Sequence, residues 1–115
     1  MKDQLYLLRP GFTNAGMGPL YCSDSAPVEG VLSFFPQLRD LIEVHYLEFP
    51  RPRRALVKAL GEKHQSLPVL ILAPGKKIVD PELSPSQVDG TQFFTVEKQI
   101  RQYLSTQYDL PQASE

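Results

Sequence analysis

The residue best suited to chemistry is Cys22, the single cysteine of the 115-residue chain, in the stretch Tyr21-Cys22-Ser23-Asp24-Ser25. Thiolate is the nucleophilic form of a cysteine. Ser23, Asp24 and Ser25 are all residues that cap helix N-termini, and Pro27 suits a first helical turn. The spacing therefore places Cys22 at a helix start or one residue outside it, where free N–H groups and the helix dipole favour negative charge. Ser25, one turn further on, is positioned to donate a hydrogen bond to the sulfur. Asp24 acts the other way, because its carboxylate disfavours a second negative charge nearby. The alternative is that Cys22 packs as a small, semi-buried residue.

Three cations, Arg51, Arg53 and Arg54, surround Pro52 ahead of a second helical pattern. They oppose that helix's dipole, so local stability does not explain them. Either Arg51 and Arg53 hold an anion, or the three form a solvated rim paired with Glu48 and Asp40. Leu67-Pro68 opens an apolar strand, and local sequence alone favours an ordinary trans proline there. His45 and His64 have no cysteines or acids at ligand spacing, so a metal site is not expected. Gly11, Gly16 and Gly18 are not followed by a Gly-Lys-Ser/Thr or dinucleotide pattern, so they make no phosphate loop.

These residues must be held by a frame that the apolar pattern outlines. Gln4 to Leu8 reads as a strand covered on both faces. Phe12 to Leu20 reads as a loop. Val28, Val31, Leu32 and Phe35 give a helix one apolar face, with Pro36 ending it. Leu41 to Phe49 reads as a strand with a wetter face, near a sheet edge. Pro52 and Gly61 frame a second helix carrying Leu56 and Leu60. Ser66 to Leu72 is the third strand. Pro74-Gly75 then predicts a turn, with Lys76 to Val79 returning as its hairpin partner. Asp80 to Gly90 reads as a polar connection, while Phe93 and Phe94 either extend a strand or cap the core. Val96, Ile100, Tyr103 and Leu104 predict the closing helix. The expected order is βαβαββα: a single α/β domain over residues 1–115, with a four-stranded mixed sheet, helices on both faces and a flexible tail over 110–115.

Composition narrows the function classes. Twelve basic and thirteen acidic residues leave a formal net charge of −1, which argues against broad binding to nucleic acid or anionic membrane. The apolar run Leu67 to Ala73 is far too short to cross a bilayer, and no secretory signal pattern opens the chain. A cytoplasmic location is the expectation. One cysteine permits no internal disulfide, so packing must supply the stability.

The element order, with Cys22-Ser23-Asp24-Ser25 at the first helix, Leu67-Pro68 at the third strand and Ile100-Arg101-Gln102-Tyr103-Leu104 in the closing helix, resembles the thioredoxin-like fold. Within it, glutaredoxins and the N-terminal domain of glutathione transferases are the most similar. Leu8-Arg9-Pro10-Gly11-Phe12, Gly18-Pro19-Leu20-Tyr21-Cys22, Phe49-Pro50-Arg51-Pro52-Arg53 and Gln65-Ser66-Leu67-Pro68-Val69-Leu70 resemble a bacterial family, domain of unknown function 3088. The superfamily resemblance implies a redox site in which Ser25 stands where a second cysteine would complete a CxxC pair. Only monothiol chemistry is then open to it. It also implies a cis Pro68 facing Cys22, with Leu67 offering its backbone to an extended peptide or to glutathione. Tyr21, beside Cys22, either packs over such a ligand or covers the core as a loop tyrosine. No cofactor other than glutathione is implied. The expected functions are a monothiol oxidoreductase or glutathione-binding protein, with a non-catalytic interaction module or redox sensor as the alternative.

Overall fold

In a computed structural model, residues 1–114 are described; Glu115, the last residue of the expected flexible tail, lies outside them. The apolar run near the N-terminus forms β1 (Gln4–Leu8), followed by a hairpin of β2 (Phe12–Asn14) and β3 (Met17–Leu20). Then come α1 (Ser25–Phe34), a single turn α2 (Leu38–Leu41), β4 (Glu43–Leu47), α3 (Arg54–Leu60), β5 (Val69–Ile71), β6 (Ser86–Val88), β7 (Thr91–Phe94) and α4 (Glu97–Gln107).

The main sheet has five strands, not the expected four, in the order β4-β1-β5-β7-β6. β1 runs parallel to β4 and antiparallel to β5, and β7 runs antiparallel to both β5 and β6. Lys76 to Val79 forms no strand. The antiparallel partner of β5 is instead β7, which pairs Leu70 with Phe94 and Ile71 with Phe93. The connection read as polar and irregular supplies the fifth strand, and Leu83 from it enters the core. The stretch read as a loop, Phe12 to Leu20, is a hairpin whose turn places Ala15 and Gly16 at φ 54° and 76°, the left-handed pair that a two-residue hairpin requires.

Alternation along the strands sorts the core into two layers. Leu5, Leu7, Leu70 and Phe94 face α1 and α4, where they meet Val28, Leu32, Ile100, Tyr103 and Leu104. Tyr6, Val69, Ile71 and Phe93 face the other way, onto Leu56 and Leu60 of α3. Helices therefore cover both faces, and each fully buried leucine contributes about 1.5–3 kcal/mol. Pro36 ends α1 as expected, and Gly61 closes α3 at φ 93°. Pro52 is not the first helical residue: it follows a cis bond from Arg51, and α3 begins at Arg54.

One polar group lies in the interior. Asp3 is fully buried and accepts hydrogen bonds from the Ala73 N–H at 2.8 Å, the Tyr103 hydroxyl at 2.5 Å and the Tyr108 hydroxyl at 2.9 Å. Lys76 Nζ lies 3.6 Å from the same carboxylate. Burial, then the neighbouring carboxylate, pushes both tyrosine hydroxyls far above their ordinary range. The C-terminal residues are tied back as well: Ser105 accepts from the Leu110 N–H through its carbonyl and donates to Pro111 O through its hydroxyl.

Candidate functional site

The site is built where β1, β4 and α1 meet. β1 and β4 run parallel, so their C-terminal ends share one edge of the sheet; β5 is antiparallel and starts at that edge. The hairpin leaves the edge from β1 and returns the chain to α1, with the Gly11 N–H donating to Leu20 O at 2.7 Å. Cys22 follows directly, half-buried and free. Its carbonyl accepts from the Ala26 N–H at 3.1 Å, the first helical turn, and its Sγ accepts from the Ser25 N–H at 3.3 Å. The sulfur thus takes one of the free donors at the start of α1, a position that favours negative charge. The formal cap, Asp24, makes no capping hydrogen bond with its side chain.

Ser25 lies beside the sulfur, but its hydroxyl does other work. It is buried and accepts from the Leu8 N–H at 3.2 Å, locking α1 onto the end of β1. Its contact with the sulfur is through the backbone. The hydroxyl is therefore not the donor to the sulfur that the spacing suggests, because the direction of a side chain is not readable from spacing.

A cleft of about 230 Å³ opens in front of Cys22, lined by Leu7, Leu8, Tyr21, Ala26, Glu29 and Tyr46 among others. An apolar cavity of about 150 Å³ is already large enough for benzene, so this one admits a side chain or a small thiol. Its walls are apolar except at the far end. There the Tyr46 hydroxyl donates to Glu29 Oε1 at 2.6 Å, and Arg39 donates to Glu29 Oε2 at 2.8 Å and to the Tyr46 oxygen at 3.1 Å. Burial, then the bond to Glu29, raises the Tyr46 pKa, so the phenol stays protonated. Tyr21 stands at the rim, 68 % exposed.

Leu67 and Pro68 lie outside the cleft lining but at the same sheet edge. The Leu67–Pro68 bond is cis, as are Gly18–Pro19 and Arg51–Pro52. Pro68 is buried just before Val69, which sits opposite Tyr6 of β1. Leu67 packs partly into the core layer beneath α3.

The three arginines separate. Arg51 and Arg54 are exposed, whereas Arg53 is only 8 % exposed. Glu48 pairs with Arg9 at 2.8 Å rather than with any of the three. The Arg53 backbone N–H donates to Gln65 Oε1, and its guanidinium donates to Gln65 O and to Phe49 O, each at 2.7 Å. It thereby clamps the loop after β4 to the loop before Pro68. The guanidinium also lies 5.7 Å from the Phe49 ring centroid, and Phe49 stacks on Phe12 of the hairpin at 4.6 Å. Burial, then Arg51, lowers the Arg53 pKa, and Cys22 acts in the opposite direction. Nothing in Arg-Pro-Arg-Arg marks which arginine turns inward.

His45 stacks on Tyr6 at 4.7 Å and shares a 2.6 Å hydrogen bond with Gln4. His64 lies edge-on to Phe93. Among the described residues no group of three or more His, Cys, Asp or Glu could hold a metal, and no helix is long and apolar enough to cross a membrane.

Comparison with curated proteins and with solved structures finds no match. A family model described as a protein of unknown function, DUF3088, matches residues 2–112, nearly the whole chain. The buried side chains, the Cys22 edge and the polar latch at Asp3 all fall within that span, and the chain belongs to the DUF3088 family.

Proposed function

We propose that this protein carries out monothiol thiol–disulfide exchange at Cys22 on a thioredoxin-like frame. The observation that carries the reading is the sulfur's position: it accepts the Ser25 N–H at the start of α1 and faces an open, largely apolar cleft. The order β4-β1-β5-β7, with one parallel and two antiparallel pairings, supports the thioredoxin-like frame, with β6 as an addition at the far edge. The buried Pro68 at the same edge is in keeping with it.

In the reaction the Cys22 thiolate attacks one sulfur of an incoming disulfide. A new S–S bond forms to Cys22, the old bond breaks, and its electron pair leaves on the second sulfur as a thiolate that takes a proton from water. Oxidised glutathione or a protein disulfide supplies the partner. No second cysteine exists to resolve the adduct, so an external thiol must complete the cycle.

The test is mass spectrometry of the purified protein after brief exposure to oxidised glutathione at pH 7. A single adduct that forms faster than on an unstructured cysteine peptide, and is absent in Cys22→Ala, is expected. Absence of any adduct on the folded protein rejects the exchange reading.

A second reading, an interaction module that docks a protein without chemistry, is favoured by one observation. The Ser25 hydroxyl is engaged by the Leu8 N–H rather than by the sulfur, while Tyr21 stands exposed at the rim of the cleft. Partner binding that survives Cys22→Ala unchanged would favour it.

A further inference from the structure

The cleft in front of Cys22 is not built from the residues that the sequence resemblance assigns to glutathione. None of Leu67, Pro68, Arg51 and Arg53 lines it; its walls come from β1, α1, β4 and the segments joining them. Leu7 and Leu8 are buried in its inner wall, and Ala26 and Tyr21 stand at its exposed side. At about 230 Å³ the cleft is larger than the roughly 150 Å³ that accommodates benzene, so an aromatic ring or a branched aliphatic chain fits.

Charge is nearly absent from the lining. No lysine, arginine or histidine lines the cleft, and Glu29 is its single charged side chain. The polar groups at the far end are spent on one another. The Tyr46 hydroxyl donates to one Glu29 oxygen, and Arg39 donates to the other and to the Tyr46 oxygen. The Ser25 hydroxyl is held by the Leu8 N–H. A carboxylate entering here gives up its water, meets no free cation and approaches another carboxylate. An apolar group entering the same space takes apolar surface out of water on both sides.

We infer that this cleft is the specificity pocket for an uncharged, apolar group of side-chain size, carried on the sulfur that Cys22 attacks. The inference rests on Cys22 being the reacting centre and adds the class of its partner. The Cys22 thiolate attacks the sulfur bearing the apolar group, a new S–S bond forms to it, the old S–S bond breaks, and the electron pair leaves on the second sulfur as a thiolate. Glutathione, with two carboxylates and an ammonium on each half, is the less favoured group to transfer.

Methanethiosulfonates bearing benzyl, hydroxyethyl or carboxyethyl groups test this, because each forms a mixed disulfide at Cys22 with the same methanesulfinate leaving group. Each rate is measured on the intact protein at pH 7 and divided by the rate on an unstructured cysteine peptide. The benzyl reagent is expected to gain about tenfold or more over hydroxyethyl, since each buried methylene is worth about fourfold. Carboxyethyl should show no gain. Ala26→Leu narrows the cleft and keeps a good helix former in α1, so the benzyl gain should fall by about threefold or more. General stickiness of an apolar surface would raise it instead. A benzyl gain of less than about twofold, under the value of one buried methylene, overturns the inference, as does an equal gain for carboxyethyl. The source of the apolar group follows from 2-pyridyl disulfides of two short peptides, with phenylalanine or serine beside the cysteine. A matching gain for the phenylalanine peptide assigns the group to a protein cysteine, and a gain confined to benzyl assigns it to a small thiol.

A second measurement needs no thiol chemistry. In Cys22→Ser, benzyl alcohol should shift the amide resonances of Leu7, Leu8 and Ala26 saturably, and 3-hydroxypropionate should not. No saturable shift with benzyl alcohol overturns the inference. A saturable shift in a protein that forms no glutathione adduct upholds the pocket and rejects only the exchange chemistry, so the two claims fall separately.

Discussion

Removing the Asp3 carboxylate should destabilise the fold more than any surface change. Three donors converge on it, from Ala73, Tyr103 and Tyr108, with Lys76 Nζ 3.6 Å away. In Asp3→Ala the Ala73 N–H and the Tyr103 hydroxyl remain buried with no acceptor, and each such group costs about 1–3 kcal/mol. Tyr108 is partly exposed and turns to water, so its loss is smaller. Removing the anion also relieves its own desolvation cost, which brings the expected net loss to about 3–5 kcal/mol, the range for breaking a buried pair. A 115-residue domain has roughly 6–17 kcal/mol in all, so the variant should still fold but with roughly a fifth to four-fifths of its margin gone. Urea unfolding at pH 7 followed by circular dichroism should show the midpoint fall by roughly 1–3 M at unchanged slope. Asp3→Asn, which keeps one acceptor, should lose less. A double-mutant cycle with Tyr103→Phe should give a coupling above about 1 kcal/mol. A loss below about 1 kcal/mol, or simple additivity with Tyr103→Phe, would refute the view that this carboxylate latches the two ends of the fold.

Three further outcomes are expected. Burial and Asp3 raise the Tyr103 pKa in the folded state, so its stabilising contribution is complete below the unfolded tyrosine value. This group alone should therefore lower stability by about 1.4 kcal/mol per pH unit above about pH 10, and Tyr103→Phe should reduce the slope by about that much, leaving the share of Tyr108, in urea titrations run from pH 8 to 11. A Cβ at residue 18 would stand 2.8 Å from Thr13 Cγ2 and 2.9 Å from Phe12 O, at a backbone φ of +152°; Gly18→Ala should thus cost about 1–3 kcal/mol, read by thermal unfolding. Phe49→Ala removes the stack on Phe12 and the face under Arg53, so amide exchange in 12–20 should accelerate well before exchange in β1 does.

Strong periodic signals in the sequence gave the frame, and weak ones hid its refinements. β1, α1, β4, α3, β5 and α4 follow from apolar spacing and from prolines that punctuate it. β6 did not, because Ser86-Gln87-Val88 is three residues of an edge strand with almost no apolar pattern. Pro74-Gly75 looked like a hairpin turn, yet Lys76 and Val79 are held as loop by tertiary contacts, one to Asp3 and one from the Val79 N–H to Gln107 Oε1. The Phe12 to Leu20 hairpin was masked by its glycines and Pro19, which read as loop residues. At the site, the types and the order of Cys22 and Ser25 were legible from capping chemistry. Neither the turn of the Ser25 hydroxyl toward Leu8 nor the burial of Arg53 has a local signal, since both depend on neighbours distant in sequence.

The Asp3 latch also sets a timetable for synthesis. Its hydrogen-bond partners Tyr103 and Tyr108 lie 100 and 105 residues downstream. At about 5–20 residues per second, the first strand emerges roughly 5–20 s before the chain that satisfies its buried carboxylate. Until then Asp3 has water as its partner, and β1, central to the finished sheet, has one face without the α4 residues that cover it. Final closure of the interior thus waits until the closing helix has been made and Tyr103 and Tyr108 reach Asp3.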